Sequence, residues 1–451
     1  MRRLLILVLC FFRFLACAVP FPEEVKAQGT APPPRRAHLD FQPCDEPGPM
    51  PEGTLDLPGL WSLALANNPA LREAAAEVEA ARGRLIQAGK YPNPRLGYRQ
   101  EELGTRQSPA GSIAVEVNQE IVTAGKRRLD VAIATRGTDV AAVASLGRKF
   151  DVLTAIRRDY YDYLGWRYTA QVQEEVVTAL QEGVAITRRL VEVARTRPRT
   201  DLLRLQALLE EAESNQARTR VTLEATWRQL AAEVGLPQLP MPSGAPDTAA
   251  PGPLWDAELV TRRVIAANTE LQQAALEAER DRLEVERARA EAVPNFTLGG
   301  GYSRNFPEHE AGAIVSVEAP LPLWDRNQGR IFEAQARLAK TQAAQATTTN
   351  RLSRDTAEAF GRYLAARQQA DRLAAQILPG LTETLDLVRQ GYQVGATEVT
   401  FADVLLAEQA LNDARLRLAE TRRDLWRAVA DLEGLMQLDV GAELCLPARS
   451  R

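Results

Sequence analysis

Residues 68–93 and 268–295 state one pattern twice. Asn68-Pro69-Ala70-Leu71 opens a helical stretch rich in Ala, Glu and Arg that Pro92-Asn93 closes, and Asn268-Thr269-Glu270-Leu271 opens a second that Pro294-Asn295 closes. After each come two short alternating segments, a very long helical run, a turn and a returning helix. The returning helices open at Asp201-Leu202-Leu203 and Asp403-Val404-Leu405. A Trp-Arg pair followed by Gly-Leu stands late in each: Trp227-Arg228 to Gly235-Leu236, and Trp426-Arg427 to Gly434-Leu435. The copies lie about 200 residues apart, far longer than a solenoid unit of about 20–50 residues, so the period marks a duplicated domain. A chain of 451 residues has room for about three ordinary domains, but the repeat makes it two halves of one body.

The boundaries follow from punctuation. Residues 1–18 read as a signal peptide, 19–56 as a Pro-rich leader, 57–236 as the first copy, 237–253 as a Pro-rich linker, 254–437 as the second copy and 438–451 as a tail. In the first copy the strand pair spans about 95–120. Ile113, Val115 and Val117 fall on one face and Ala114, Glu116 and Asn118 on the other, the period of a strand. In the second, about 296–320, Phe296, Leu298, Gly300 and Tyr302 alternate with Thr297, Gly299 and Gly301, and Ala313, Val315 and Val317 with Ile314, Ser316 and Glu318.

Between Lys126 and Thr196 there is no proline, which at 1.5 Å per residue allows on the order of 100 Å of helix. The matching run, Asn327 to Val394, has one break at Leu378-Pro379-Gly380, where a kink is expected. Turns follow at Pro198 and Gly395. The returning helices run from Asp201 to about Val234 and from Val399 to about Met436.

Aromatic residues are only 6% and the net charge is −4, a mix that favours long helices and gives no electrostatic pull toward nucleic acid. With two histidines, His38 and His309, a His-built metal or catalytic centre is not expected. Glu308-His309-Glu310 reads as an exposed polar loop rather than a metal site. Gly125-Lys126 is not a phosphate loop, because the upstream glycine is absent and Arg127 stands in place of Ser or Thr. No catalytic constellation and no cofactor motif appears, so no enzyme is expected.

Arg2-Arg3 followed by apolar Leu4 to Phe12 reads as an export signal. Two processing routes stand: cleavage after Ala18, or a lipoprotein signal with Cys17 acylated. Cys44 and Cys445 remain near opposite ends of the mature chain. They either pair in an oxidising periplasm or stay as separate thiols.

Four strands of about nine residues suit a transmembrane β-barrel, yet four strands cannot close around a pore. An open sheet edge cannot face lipid, because its backbone groups would lack partners. If these strands lie in a membrane, several chains share one barrel. Soluble hairpins capping a helical rod are the alternative.

At this point the chain resembles the TolC-like outer-membrane efflux channels, in their CzcC-like branch. The residues that carry the likeness are Asn68-Pro69-Ala70-Leu71, Tyr91-Pro92-Asn93-Pro94, Val117-Asn118-Gln119-Glu120, Pro294-Asn295-Phe296, Pro320-Leu321-Pro322-Leu323 with Arg326-Asn327-Gln328-Gly329, and Gly391-Tyr392-Gln393-Val394-Gly395 leading to Asp403-Val404-Leu405. The resemblance implies a mainly α fold with a small β part: long helical hairpins forming a periplasmic α-barrel, and four strands given to a shared trimeric β-barrel. It implies a homotrimer in outer-membrane lipid, with a periplasmic adaptor and an inner-membrane pump of the RND or another type as partners. It implies no cofactor. The cargo would be small solutes, metal cations or drugs. The same fold as a duct for type I protein secretion, and a soluble periplasmic coiled-coil scaffold, are the rival readings.

The family closes its periplasmic end at the helix tips. By resemblance Asp403 matches the first acid of the closing pattern, and Leu406 stands where some members carry a second. Asp201 is its partner by repeat position. Each aspartate also suits the plain role of capping its helix. The first tip, Arg195-Thr196-Arg197-Pro198-Arg199, is strongly basic. Its three arginines are either a solvated turn or counter-charges for acids nearby.

Overall fold

The computed structural model describes residues 56–101, 111–193, 198–242, 254–306, 308–394 and 399–437. Cys17, Cys44, Cys445, Arg195, Arg197, Gly395 and the side chain of Tyr392 lie outside the described residues, as do the signal segment and most of the linker.

The elements come in two matching series. The first is α1 (Leu57–Asn67), α2 (Pro69–Ala88), β1 (Arg95–Glu101), β2 (Ser112–Ile121), α3 (Lys126–Glu192) and α4 (Arg199–Val234). The second is α5 (Ala257–Ala267), α6 (Thr269–Glu291), β3 (Phe296–Asn305), β4 (Glu310–Glu318), α7 (Gln328–Arg372), a π-helical turn at Leu373–Ile377, α8 (Leu378–Val394) and α9 (Phe401–Met436). Among the described residues no helix is long and apolar enough to cross a membrane.

Buried asparagines explain the start of each series. Asn68 is extended between α1 and α2 and accepts the Ala70 N–H at 2.8 Å, capping α2, while its amide donates to Glu233 O at 2.6 Å. Asn268 accepts the Glu270 N–H at 2.9 Å and donates to Leu435 O at 3.5 Å. One side chain thus caps one helix and satisfies an orphan carbonyl at the end of another. The returning helices end in left-handed residues, Gly235 at φ 89° and Gln437 at φ 47°. Glycine is required at 235, where a Cβ would lie 3.0 Å from Asn67 O.

These caps correct the pairing of the two Trp-Arg…Gly-Leu segments. Gly434 is helical, packed on Thr154, and the second copy ends at Gln437 instead. Aligned on the caps, Trp227 corresponds to Val429 and not to Trp426. Trp227 is buried, donates to Leu239 O at 2.9 Å and tilts against Tyr163 at 4.9 Å. Trp426 stacks on Tyr161 of α3, also at 4.9 Å, and joins the two halves.

Two cores mirror each other. Leu60, Ile156, Tyr163, Trp227, Leu230 and Val234 form one, from α1, α3 and α4. Val260, Leu352, Tyr363, Val429, Leu432 and Met436 form the other, from α5, α7 and α9. Each fully buried side chain of this size contributes about 1.5–3 kcal/mol. Ion pairs tie α3 to α9 between them: Arg157 to Glu433 at 2.9 Å, Arg427 to Asp162 at 3.3 Å, and Arg158 to Asp431.

Pro379 leaves its mark one turn earlier than expected. The chain stays helical from Gln328 to Val394, and the Leu378 N–H reaches back to Leu373 O, five residues away. A proline lacks the N–H and clashes with the carbonyl four residues before it. Widening the preceding turn into a π-turn removes that clash.

The strands form one antiparallel sheet in the order β1-β2-β3-β4, although two helices of each copy separate β2 from β3 in the chain. Leu96 pairs with Val117, Val117 with Gly300, and Gly300 with Val315. Among the described residues neither β1 nor β4 has a second neighbouring strand, so both edges are open.

Candidate functional site

The sheet has two unlike faces. On one, Leu96, Tyr98, Val115, Val117, Leu298, Tyr302, Val315 and Val317 are all exposed. This apolar band meets Gln100 and Arg304 at one end and at the other runs past Gln119 to Ile121 and Phe296. The opposite face carries Arg95, Arg99, Glu101, Glu116, Asn118, Glu120, Ser303, Asn305, Glu310, Ser316 and Glu318. Glycines leave room for its polar groups to lie flat. A Cβ on Gly301 would meet Glu116 Cγ at 2.8 Å, and one on Gly299 would meet Asn118 Oδ1 at 2.4 Å. Monomeric soluble proteins rarely expose a contiguous apolar face across four strands. A barrel wall in lipid does, with a polar bore behind it.

A buried polar joint fastens the sheet to the helices. Lys126, the first residue of α3, is 2% exposed. Its ammonium donates to Asn295 Oδ1 at 2.8 Å and lies 3.8 Å from a Glu291 oxygen. Asn295 donates in turn to Glu120 Oε1 at 2.7 Å, and Thr123 donates to Pro294 O at 2.7 Å. A buried ammonium is tolerated only when paired in this way. The sequence singled out Lys126 only as a failed phosphate loop. The signal for its real role was the Asn of the second Pro-Asn motif.

The far ends of the hairpins sit about 100 Å along α3, which has 67 residues. Phe401 and Leu405 of α9 pack with Val184 of α3 and with Leu202 and Leu205 of α4, so the two tips stand side by side. Asp403 is the third residue of α9. It accepts the Thr400 N–H at 2.8 Å and the Thr400 hydroxyl at 2.7 Å, and these bonds hold its carboxyl below the usual range. Asp201 is the third residue of α4, not its cap, because α4 begins at Arg199. Pro198 stands where Thr400 stands in the second copy. It has no N–H and no hydroxyl to offer, and α4 has no side-chain cap. Leu406, one turn beyond Asp403, is 62% exposed.

A second titratable group lies far from the tips. Burial, with Glu233 and Asp162 nearby, pushes Asp159 of α3 up to about 6. Gln229 donates to it at 3.2 Å. Glu308, His309 and Glu310 are exposed, and among the described residues no group of three or more metal-capable side chains comes together.

A membrane-type sheet carried on paired helical hairpins is the architecture of an outer-membrane channel subunit. VceC of Vibrio cholerae, an outer membrane protein of known structure, has this fold: TM-score 0.69, 19% identity, 84% of this chain and 95% of that one covered. The model of the outer membrane efflux protein family matches residues 60–236 and again 260–436, and the chain belongs to that family. The cobalt-zinc-cadmium resistance protein CzcC of Cupriavidus metallidurans is 27% identical over 397 residues, which cover 85% of this chain and 90% of CzcC. The nickel and cobalt resistance protein CnrC of the same organism is 27% identical over 63% of this chain and 68% of its own length. The protein is an efflux channel of the outer membrane reaching into the periplasm, and not an enzyme. Its family works as trimeric channels within tripartite exporters.

Proposed function

We propose that three copies of this chain form a passive exit duct for metal cations, fed by a periplasmic adaptor and an inner-membrane pump. The observation that carries this reading is the two-faced sheet with two open edges. Three protomers of four strands make twelve, within the even-numbered range of known single-chain barrels. The bore-side face has an excess of acid, Glu101, Glu116, Glu120, Glu310 and Glu318 against Arg95 and Arg99. An acidic bore favours cations. Curated relatives named for cobalt, zinc, cadmium and nickel resistance support the same cargo.

The gate in this reading is the pair of helix tips. Asp403 occurs three times around the axis, and Arg195, Arg197 and Arg199 of the basic first tip are its counter-charges. Asp201 belongs to the same end. Planar-bilayer recordings of purified trimers test both parts. Wild-type channels should conduct weakly and prefer cations, while Asp403→Ala and Arg197→Glu should raise conductance severalfold. Anion preference would remove the metal-cation reading. Unchanged conductance in both variants would reduce the tip residues to caps and solvated turns. Deletion of the gene should lower tolerance to divalent metals, and lost protein secretion instead would favour the rival duct.

A further inference from the structure

The segment joining β4 to α7, Pro320 to Gln328, is built inside out for a loop in water. Its polar side chains turn back onto its own backbone. Asp325 Oδ1 accepts the Asn327 N–H at 2.8 Å, and Gln328 Oε1 accepts the Arg326 N–H at 2.8 Å. Gln328 Nε2 donates to Trp324 O at 3.1 Å. Asn327, left-handed at φ 62°, donates to Ala288 O at 2.7 Å and so pins the loop to α6. Pro320 and Pro322 fix two more backbone angles and remove two donors.

The large apolar side chains do the opposite. Leu321 is 77% exposed, Leu323 62% and Trp324 86%, and Phe332, just inside α7, is 74% exposed. The matching crossing from β2 to α3 is built the other way. There Glu120 and Thr123 are tied to Asn295 and Pro294, and Ile121 is only 37% exposed. The exposed apolar row follows closely in sequence on Val315 and Val317, the exposed apolar residues near the end of β4. Arg326 and Arg330 are exposed beside it.

We infer that residues 321–332 form an interfacial anchor in the inner leaflet of the outer membrane. Leu321, Leu323 and Trp324 enter the boundary between headgroups and acyl chains, and Arg326 and Arg330 face phospholipid phosphates. Tryptophan suits that depth, with an apolar ring and one N–H for the wet side. A loop rigidified by its own polar groups loses little further freedom on insertion. Because the anchor is fixed to α6 through Asn327, it would set the depth of the barrel and the angle at which the helices leave the membrane. This inference rests on the strands lying in the membrane, and the occupant it commits to is phospholipid rather than a neighbouring copy of the chain.

The test uses full-length trimers reconstituted into phospholipid vesicles. Wild type and Trp324→Phe are compared, so that the difference in emission belongs to Trp324. That difference should be quenched by phosphatidylcholine brominated near the headgroup, less by lipid brominated at the chain ends, and little by aqueous iodide. Quenching by iodide alone would show a solvated loop and overturn the anchor. No quenching by either would show that a neighbouring protomer covers Trp324, which also overturns it. Co-flotation of trimers with vesicles is scored first. Protein that does not float would sink the membrane placement itself, and the anchor with it.

Discussion

Thr400 and Pro198 hold the same place at the start of the two returning helices and leave their aspartates with different work. Asp403 is engaged, accepting two hydrogen bonds from Thr400. Asp201 has no such donors, because proline removed both. The joints differ in the same manner. Asn295 is bonded to a buried lysine, while Asn93, the same residue of the same motif, is exposed. After duplication each copy kept the scaffold and specialised its ends. An acid freed from capping can serve contacts with a neighbour, and an acid committed to capping fixes the helix start.

The largest break in that comparison should come at the joints. Asn295→Leu strips a hydrogen-bond acceptor from a buried ammonium and should cost about 1.5–3 kcal/mol. Asn93→Leu should stay within about 0.5 kcal/mol of wild type. Denaturant unfolding of detergent-solubilised trimers, followed by circular dichroism, separates them. Equal losses would mean that Lys126 is not held through Asn295.

At the tips, Thr400→Ala should destabilise by about 1 kcal/mol, a typical loss for a helix cap. Pro198→Thr gives Asp201 the donors it lacks, worth a similar amount, but surrenders the stiffness of proline, worth about 0.4–1 kcal/mol. The net change should be near zero. Thermal melts of the two variants check this, and a clear gain in Pro198→Thr would show that rigidity at the first tip matters little.

Asp159 has no acidic counterpart. Four residues before Tyr163 stands Asp159, and four before Tyr363 stands Ala359. A folded pKa of about 6, above that of an ordinary carboxylate, means that the protonated acid favours the folded state. That contribution is full below about pH 4 and is lost as pH rises through 6. Asp159→Asn should therefore raise the melting temperature at pH 7.5 and leave it unchanged at pH 4. With solvent screening of a half-buried group, the gain should stay below about 1 kcal/mol. A gain of the same size at both pH values would assign the effect to packing.

The smallest effect concerns Asp403. Its lowered pKa means that its bonds to Thr400 are present above the usual carboxylate range and lost as pH falls through the lower folded value. Hydrogen exchange in the first turn of α9 should speed up on acidification beyond its intrinsic pH dependence, while the first turn of α4 should show no such excess. Parallel behaviour at both tips would dissolve the contrast between Thr400 and Pro198.

Much of this was legible in the residues, because strands and helices write their periods plainly. The alternation of Val115 and Val117 with Glu116 and Asn118 gave the two faces of β2 directly, and the proline-free run after Lys126 gave the length of α3. The asparagines before each second helix showed as motifs, though not their reach to Glu233 and Leu435. Long-range pairings were hidden for a physical reason. Lys126 and Asn295 are far apart in the chain, and nothing local requires either to be buried. The two Trp-Arg pairs misled because helical repeats tolerate a shift of three residues, nearly one turn, with little change of pattern. Only the left-handed caps at Gly235 and Gln437 fix the register.

The open edges of the sheet have a consequence for how the channel is made. β1 and β4 each present a row of backbone donors and acceptors that no other strand among the described residues satisfies. Each unsatisfied group costs several kcal/mol in hydrocarbon, more in sum than the marginal stability of a folded domain. A single protomer therefore cannot wait in the membrane for its partners, and insertion and ring closure must be one event. The rate of biogenesis should rise more steeply than linearly with expression. A chain with one spoiled edge, by a proline in β4 for example, would trap sound copies in rings that cannot close, so a recessive-looking substitution should behave as a dominant one.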